Sequence, residues 1–203
     1  DSAEIDGVHH GRPSLSAPDP PPSGIPRAER YFLTCMNDAT TDRTPDLSAF
    51  RQAFRRHAAG VAIVTAQTAD GTPVGFTATS LASLAAVPPL ATFNMALSAS
   101  SWPAILETDR VVIHMLGVRN KGVAEILSAD NSRRFLGDHW HRGPHGLPVI
   151  NDVTSWMVGR IVERFPVHNS AVVVVQIEQG ELGEPDEPLL YHERRYHRPT
   201  ALD

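Results

Sequence analysis

The sequence predicts a mainly β fold with a few helices, built as a small antiparallel barrel. Three observations carry that expectation. Short apolar, β-branched runs recur from Val61 to Ile177, separated by Gly, Pro, Asn and Asp turn signals. Helical periodicity is confined to a few brief segments. The long βαβ alternation of a dinucleotide-binding Rossmann fold is missing, and no Gly-x-Gly-x-x-Gly follows a strand pattern.

The elements follow in order. Residues 1–45 hold seven of the 17 prolines and few periodic apolar positions. Such a segment buries too little apolar surface to offset its chain entropy, so it reads as extended or disordered. Tyr31, Phe32 and Leu33 are its docking candidates, and Met36 is an alternative start that leaves residues 1–35 either native or added. The domain is expected over 46–203. Leu47, Phe50, Ala53 and Phe54 recur at helical spacing behind Asp46 as N-cap, giving an amphipathic helix to about His57. Val61 to Ala66 is a strand, and Asp70-Gly71 turns it into a hairpin that returns to Thr77. Leu90 to Met95 is the next strand. Ser101-Trp102-Pro103 opens a short helix, with a hydroxyl at the cap and a proline just inside. A strand over Val111 to Leu116 precedes a helix over Arg119 to Ser128. Asn131 to Pro148 is loop-like. Val158 to Phe165 and Ala171 to Ile177 are long paired strands, and Pro188 to Tyr196 closes the domain.

Composition excludes several function classes. The net charge is −5 and no basic face is visible, which argues against a nucleic-acid partner. No apolar run approaches the ~20 residues of a membrane helix, so no membrane partner is expected. The single cysteine, Cys35, has no intramolecular partner, which fits a reducing cytoplasm. There is no phosphate-binding P-loop, no Gly-x-Ser-x-Gly and no His-Glu-x-x-His.

One stretch stands apart. Residues 75–90, GFTATSLASLAAVPPL, combine small side chains with the hydroxyls of Thr77, Thr79, Ser80 and Ser83 and end on Pro88-Pro89. A strand that only filled a core would use bulkier residues. One so depleted of bulk lets a guest lie against its backbone.

FRQAFRRHAAGVAIVTA, DGTPVGFTATSLASLAAVPPL, SSWPAILETDRVVIHML, RFLGDHWHRGPHGLPVI and PLLYHERRY stand in that order. Together they resemble the flavin reductase family over about Phe50 to Tyr196. The resemblance implies an FMN-binding split β-barrel, a Greek-key-like barrel of six antiparallel strands, assembled as a homodimer with flavin near the subunit interface. It also implies that NADH or NADPH reduces FMN or FAD, which then serves a partner monooxygenase.

By position in that family, Thr77, Ala78, Thr79, Ser80 and Leu81 line the isoalloxazine and ribityl chain, with Ser83 beyond them. Ser98, Ser100 and Ser101, before Trp102, fall where the family binds flavin phosphate; plain helix capping by Ser101 is the alternative. Arg195 and Tyr196, with His192 and Arg194, fall near flavin or pyridine nucleotide, where an arginine fork suits pyrophosphate. His168 falls in the segment that faces the nicotinamide, although the Gly and Asp that normally precede this histidine are absent. Leu81, Ala85, Val87 and Ala59 also depart from the family pattern and are expected to make the site more apolar. Asn120 is expected to be solvated. His139, His141 and His145 lack a metal-ligand spacing and read as a histidine-bearing loop at the mouth of the site, with Trp140 as a partly buried anchor.

The function expected is NAD(P)H-dependent flavin reduction in the cytoplasm. The alternatives are a flavin-binding carrier or assembly partner without turnover, and an FMN enzyme acting directly on a small organic substrate.

Overall fold

The computed structural model describes residues 47–202. The proline-rich segment, Tyr31 to Leu33, Cys35, Met36 and the Asp46 cap lie outside the described residues. Helix α1 (Leu47–Arg56) forms where its periodicity predicts, but none of its residues is buried: Phe50 and Phe54 stack on each other at 4.7 Å and stay 61% and 64% exposed. Strand β1 (Ala59–Gly60) follows it and pairs with β11 (Leu190–His192), which pairs in turn with β12 (Arg195–His197).

The body is one antiparallel sheet of seven strands. Its members are β2 (Ala62–Gln67), β3 (Pro73–Ala78), β4 (Ala82–Ala85), β5 (Leu90–Ala96), β6 (Arg110–Met115), β9 (Ser155–Val167) and β10 (Ser170–Leu182). They lie in the order β3-β2-β6-β9-β10-β5-β4, with β3 and β4 as its two edges. The six strands expected of the barrel are all there. The seventh, β4, is four mostly exposed residues, Ala-Ser-Leu-Ala, hairpinned to β5, too short for an alternation to mark it in the sequence. The sheet curls without a β3-β5 ladder, which is the split of the barrel.

Burial explains the sequence patterns. Val64 and Ala66 of β2, Val111 and Ile113 of β6, Phe93 and Met95 of β5 and Val173 and Val175 of β10 fill the barrel interior. The opposite face of β2 carries Ile63 into a second core with Ala124 and Leu127 of helix α3 (Lys121–Ser128), Ile150 and Leu189. Because β2 and β6 are covered on both faces, they read as continuous apolar runs, whereas β5 alternates. Each fully buried Val or Ile contributes about 1.5–3 kcal/mol.

The stretch expected to be a loop holds a short hairpin, β7 (Trp140–Arg142) with β8 (Pro148–Ile150). It packs on the barrel because Leu147 and Val149 meet Val112 and Val158 in a third core. Asn120 corrects the expectation of a solvated residue. It is 4% exposed, its Oδ1 accepts from the Gly117 N–H and its Nδ2 donates to Asp152 O. Helix α2 (Trp102–Glu107) is held from β9 by Arg164, which donates to the carbonyls of Ile105 and Thr108 at its C-terminal end.

His114 ties β8 to this frame. It is fully buried on β6, its Nδ1–H donating to Ile63 O at 3.1 Å while Nε2 accepts from the Ile150 N–H at 3.1 Å. The bond that Nε2 accepts requires the neutral ring, with its proton on Nδ1. Burial first, and His141 nearby to a lesser degree, lower its pKa from 6.5 to about 4, against the pull of the Ile63 carbonyl. The unfolded chain therefore takes up this proton at a higher pH than the folded chain does. Stability from this group is intact above pH 6.5 and falls as the pH drops toward 4, by roughly 3 kcal/mol. Denaturant titrations at pH 7 and pH 4.5 should show that loss in the native chain. His114→Phe should flatten the pH dependence while costing about 1–3 kcal/mol at pH 7 through the orphaned partners.

Candidate functional site

A cleft of about 320 Å³ opens at the split. It is lined by Phe76 and Thr77 of β3, Asn94, Met95 and Ala96 of β5, Ala99 to Ser101, Leu127 and Ser128 at the end of α3, and Arg134. A larger groove, about 490 Å³, runs between α1 and the β11-β12 turn, but it is walled mainly by exposed side chains such as Phe50, Arg51, Phe54 and Arg194. The cleft is the better candidate because unpaired backbone and a partly buried cation converge on it.

That backbone is the free edge of β3. Gly75 O points away from β2 and accepts from Arg134 Nη1 at 2.8 Å and from Ser101 Oγ at 3.3 Å. Residues two apart on a strand face the same edge. Thr77 therefore turns its own N–H and C=O toward the cleft. Gly75 is closely packed here: a Cβ would meet Phe135, Thr65 and Leu127 at 3.0, 3.1 and 3.2 Å, so those side chains would have to give way. Beyond Thr77, Ser80 crosses the split. Its hydroxyl accepts from the Asn94 N–H at 2.9 Å and faces Asn94 O at 3.2 Å, in place of a strand ladder.

Sequence reasoning missed Arg134, the cation of the site. Its Nε and Nη2 donate to Ala129 O at 3.1 and 2.9 Å, and Nη1 reaches Gly75 O and, at 3.4 Å, the hydroxyls of Ser100 and Ser101. No carboxylate pairs with it among the described residues, and partial burial lowers its pKa from the usual arginine value. The histidine-rich hairpin props its backbone from behind. His139 Nε2–H donates to Arg134 O at 2.8 Å, and Trp140 Nε1–H donates to Phe135 O at 3.0 Å with the two rings edge-on. An Arg in a polar loop carries no pattern that marks it; only the fold sets it beside β3.

The structure brings some of the expected residues together and separates others. Thr77, Ser100 and Ser101 line the cleft. Ser101 corrects the capping expectation: it stands at the N-cap of α2, but its hydroxyl goes to Gly75 O rather than to a helix amide. Ala78 points into the barrel core and Leu81 packs on that core. Thr79 is exposed, and the hydroxyl of Ser80 is engaged by Asn94. Trp102 packs on the core from α2. Ser83 lies on the edge strand β4 and Ser98 on the exposed β5-α2 loop, outside the cleft lining. Arg195 is exposed on β12, while Tyr196 packs edge-on to Tyr191 in the second core. Ala59, Ala85 and Val87 do not line the cleft, so they do not make it more apolar.

His168 sits exposed in the β9-β10 turn at φ 52°, and no hydrogen bond reaches its ring among the described residues. The turn is joined to the cleft wall where the Leu97 N–H donates to Asn169 O at 2.9 Å. His139, His141 and His145 do not converge; His141 bonds Asn151 instead, and no group of metal ligands occurs among the described residues. No helix among the described residues is long and apolar enough to cross a membrane.

The chemistry available is plain. A free strand edge offers alternating donors and acceptors to the polar rim of a flat heterocycle, and the cation with two hydroxyls at one end suits an anion. No nucleophile-base pair is present in the lining.

Residues 54–200 match the sequence profile of the family described as "Flavin reductase like domain". The chain is 38% identical over 170 residues to the NADH:FMN oxidoreductase of Rhodococcus erythropolis, spanning 78% of this chain and 88% of the relative. It is 27% identical over 137 residues to the reductase component of the flavin-dependent trigonelline monooxygenase of Acinetobacter baylyi, spanning 68% and 44%. The crystal structure of a flavin reductase domain protein from Arthrobacter sp. FB24 superposes with a TM-score of 0.75 at 50% identity, covering 77% of this chain and 98% of that one.

The close packing over Gly75 makes a direct test of the site's architecture. Gly75→Val should destabilise the fold by about 1–3 kcal/mol, read as a lower denaturation midpoint. It should also disturb the cleft wall that Leu127 and Phe135 back.

Proposed function

Because this chain belongs to the flavin reductase-like domain family, we propose that it is an NAD(P)H:flavin oxidoreductase. It reduces FMN or FAD with NADH or NADPH, and the reduced flavin passes to a partner monooxygenase, as the likeness to a monooxygenase reductase component suggests. The observation that carries this reading is the free edge of β3 beside Arg134, which makes no ion pair among the described residues, at the split of the barrel. These groups fit a flavin: Thr77 presents backbone N–H and C=O to the ring's polar rim, Phe76 and Met95 supply apolar surface, and the serines and Arg134 close one end.

The hydride chemistry is supplied by the two rings themselves when bound. The chain's task is to hold them in contact and keep water out, which needs no side-chain nucleophile. Thr77 orients through its backbone, and Ser80 keeps β5 at the right distance across the split. His168, on the turn joined to the β5 end, is the side chain assigned to the nicotinamide.

In this reading the enzyme works in the cytoplasm as a homodimer. The support for a dimer is an exposed apolar face. Cross-strand rows Asn94-Val172-Phe165 and Ala96-Ser170-Val167 share one side of the sheet, with Phe165 48% and Val167 52% exposed. Asn94 and Ala96 also line the cleft, so a second copy laid on this face would wall it.

Purified protein should consume NADH or NADPH when FMN or FAD is added. Absence of turnover with every pairing, despite flavin binding, rejects the reductase. In the same assay His168→Ala should raise the nucleotide KM several-fold; unchanged KM and kcat would remove it from the site. Light scattering should give twice the chain mass, and Phe165→Asp should yield monomer with weakened flavin affinity.

A further inference from the structure

We propose that Met95 is a site of self-oxidation, its thioether becoming the sulfoxide when flavin reduced in the cleft meets O2. The inference rests on the flavin reductase reading above. Three of the four methionines lie among the described residues, Met95 on β5, Met115 on β6 and Met157 on β9. Met115 is 38% exposed at the end of β6, Met157 packs against the barrel core, and neither lines the cleft. Met95 lines the cleft and is only 7% exposed. A small oxidant therefore reaches Met95 through the cleft, and Met115 from bulk solvent.

The wall that carries Met95 is fixed. The Ser80 hydroxyl bonds the backbone N–H and C=O of Asn94 beside it. Phe93, two residues back on the same face of β5, meets Phe76 of β3 at 5.8 Å. A flavin ring laid against Thr77 thus shares one cleft of about 320 Å³ with the thioether.

O2 is the only reactant added to the reaction already described. It takes two electrons and two protons from the reduced flavin, leaving oxidised flavin and H2O2. The Met95 sulfur then gives a lone pair to one peroxide oxygen, the O–O bond breaks, and the second oxygen leaves as water. This is a common oxidative change of methionine. Peroxide made beside the sulfur replaces a dilute encounter by a local one. The product is polar, and it stands in the apolar cluster that includes Phe93, Ile105 and Val173. A sulfoxide there disrupts the β5 wall, so the enzyme loses activity through its own turnover.

Peptide mass spectrometry of the full chain after turnover tests this. With NADH, FMN and air, and with catalase clearing peroxide from bulk solution, Met95 should gain one oxygen at least tenfold faster than Met115 or Met157. Without NADH, added H2O2 should reverse the order and oxidise the exposed Met115 first. Turnover that leaves Met95 intact, or that oxidises Met115 ahead of it, overturns the proposal. So does complete protection of Met95 by catalase, because the oxidant would then come from bulk solution. Met95→Leu, which nearly conserves volume, should lose activity several-fold more slowly per turnover, relative to its own starting rate; decay at the native rate would show that Met95 does not limit the enzyme and overturn the proposal. NADH consumption without Met95 oxidation sinks this inference alone, whereas no NADH consumption with any flavin sinks the flavin reductase reading with it.

Discussion

Strand β3 ends the sheet, so every second residue along it turns a backbone N–H and C=O toward a side where no strand receives them. Much of what surrounds the cleft answers that demand. Arg134 and Ser101 take Gly75 O, and Ser80 satisfies the facing strand by bonding both backbone groups of Asn94. Thr77, between these two ties, has no such partner among the described residues. An exposed strand edge is ordinarily a liability; here the split confines it to a narrow cleft, where a flat polar-rimmed molecule can take the place of the missing strand.

Holding an edge open demands rigidity elsewhere. Strands β2 and β6 are buried on both faces, and the 13-residue strands β9 and β10 pair along nearly their whole length. The fully buried, neutral His114 clamps the β7-β8 hairpin onto that frame at Ile150. The hairpin in turn holds the backbone of Arg134 and Phe135 through His139 and Trp140. The histidine-rich segment thus serves the cleft from behind, as scaffold for the cation.

Helix α1 and the outer face of β9 and β10 show the other side of the same economy. Phe50, Phe54, Phe165 and Val167 are apolar and exposed in the single chain. The interior is already filled, so these side chains stay at the surface of the described residues.

The six long strands of the sheet are legible in the sequence; β1, β4 and the β7-β8 hairpin are not. Alternation in β5, continuous apolar runs in β2 and β6 and the Asp70-Gly71 turn are local patterns set by burial and backbone sterics. The sequence also marked residues 75–90, because small residues where a core strand would carry bulk are visible without a fold. Tertiary structure alone decided which hydroxyls are free. Ser80 and Ser101 look like equal candidates beside Thr77 until Asn94 and Gly75 claim them. Asn120 looks solvated until the Gly117 amide and the Asp152 carbonyl enclose it. Arg134 is invisible in sequence because its role depends on Gly75, 59 residues away, and only long-range packing of α3 and the β7-β8 hairpin brings the two together.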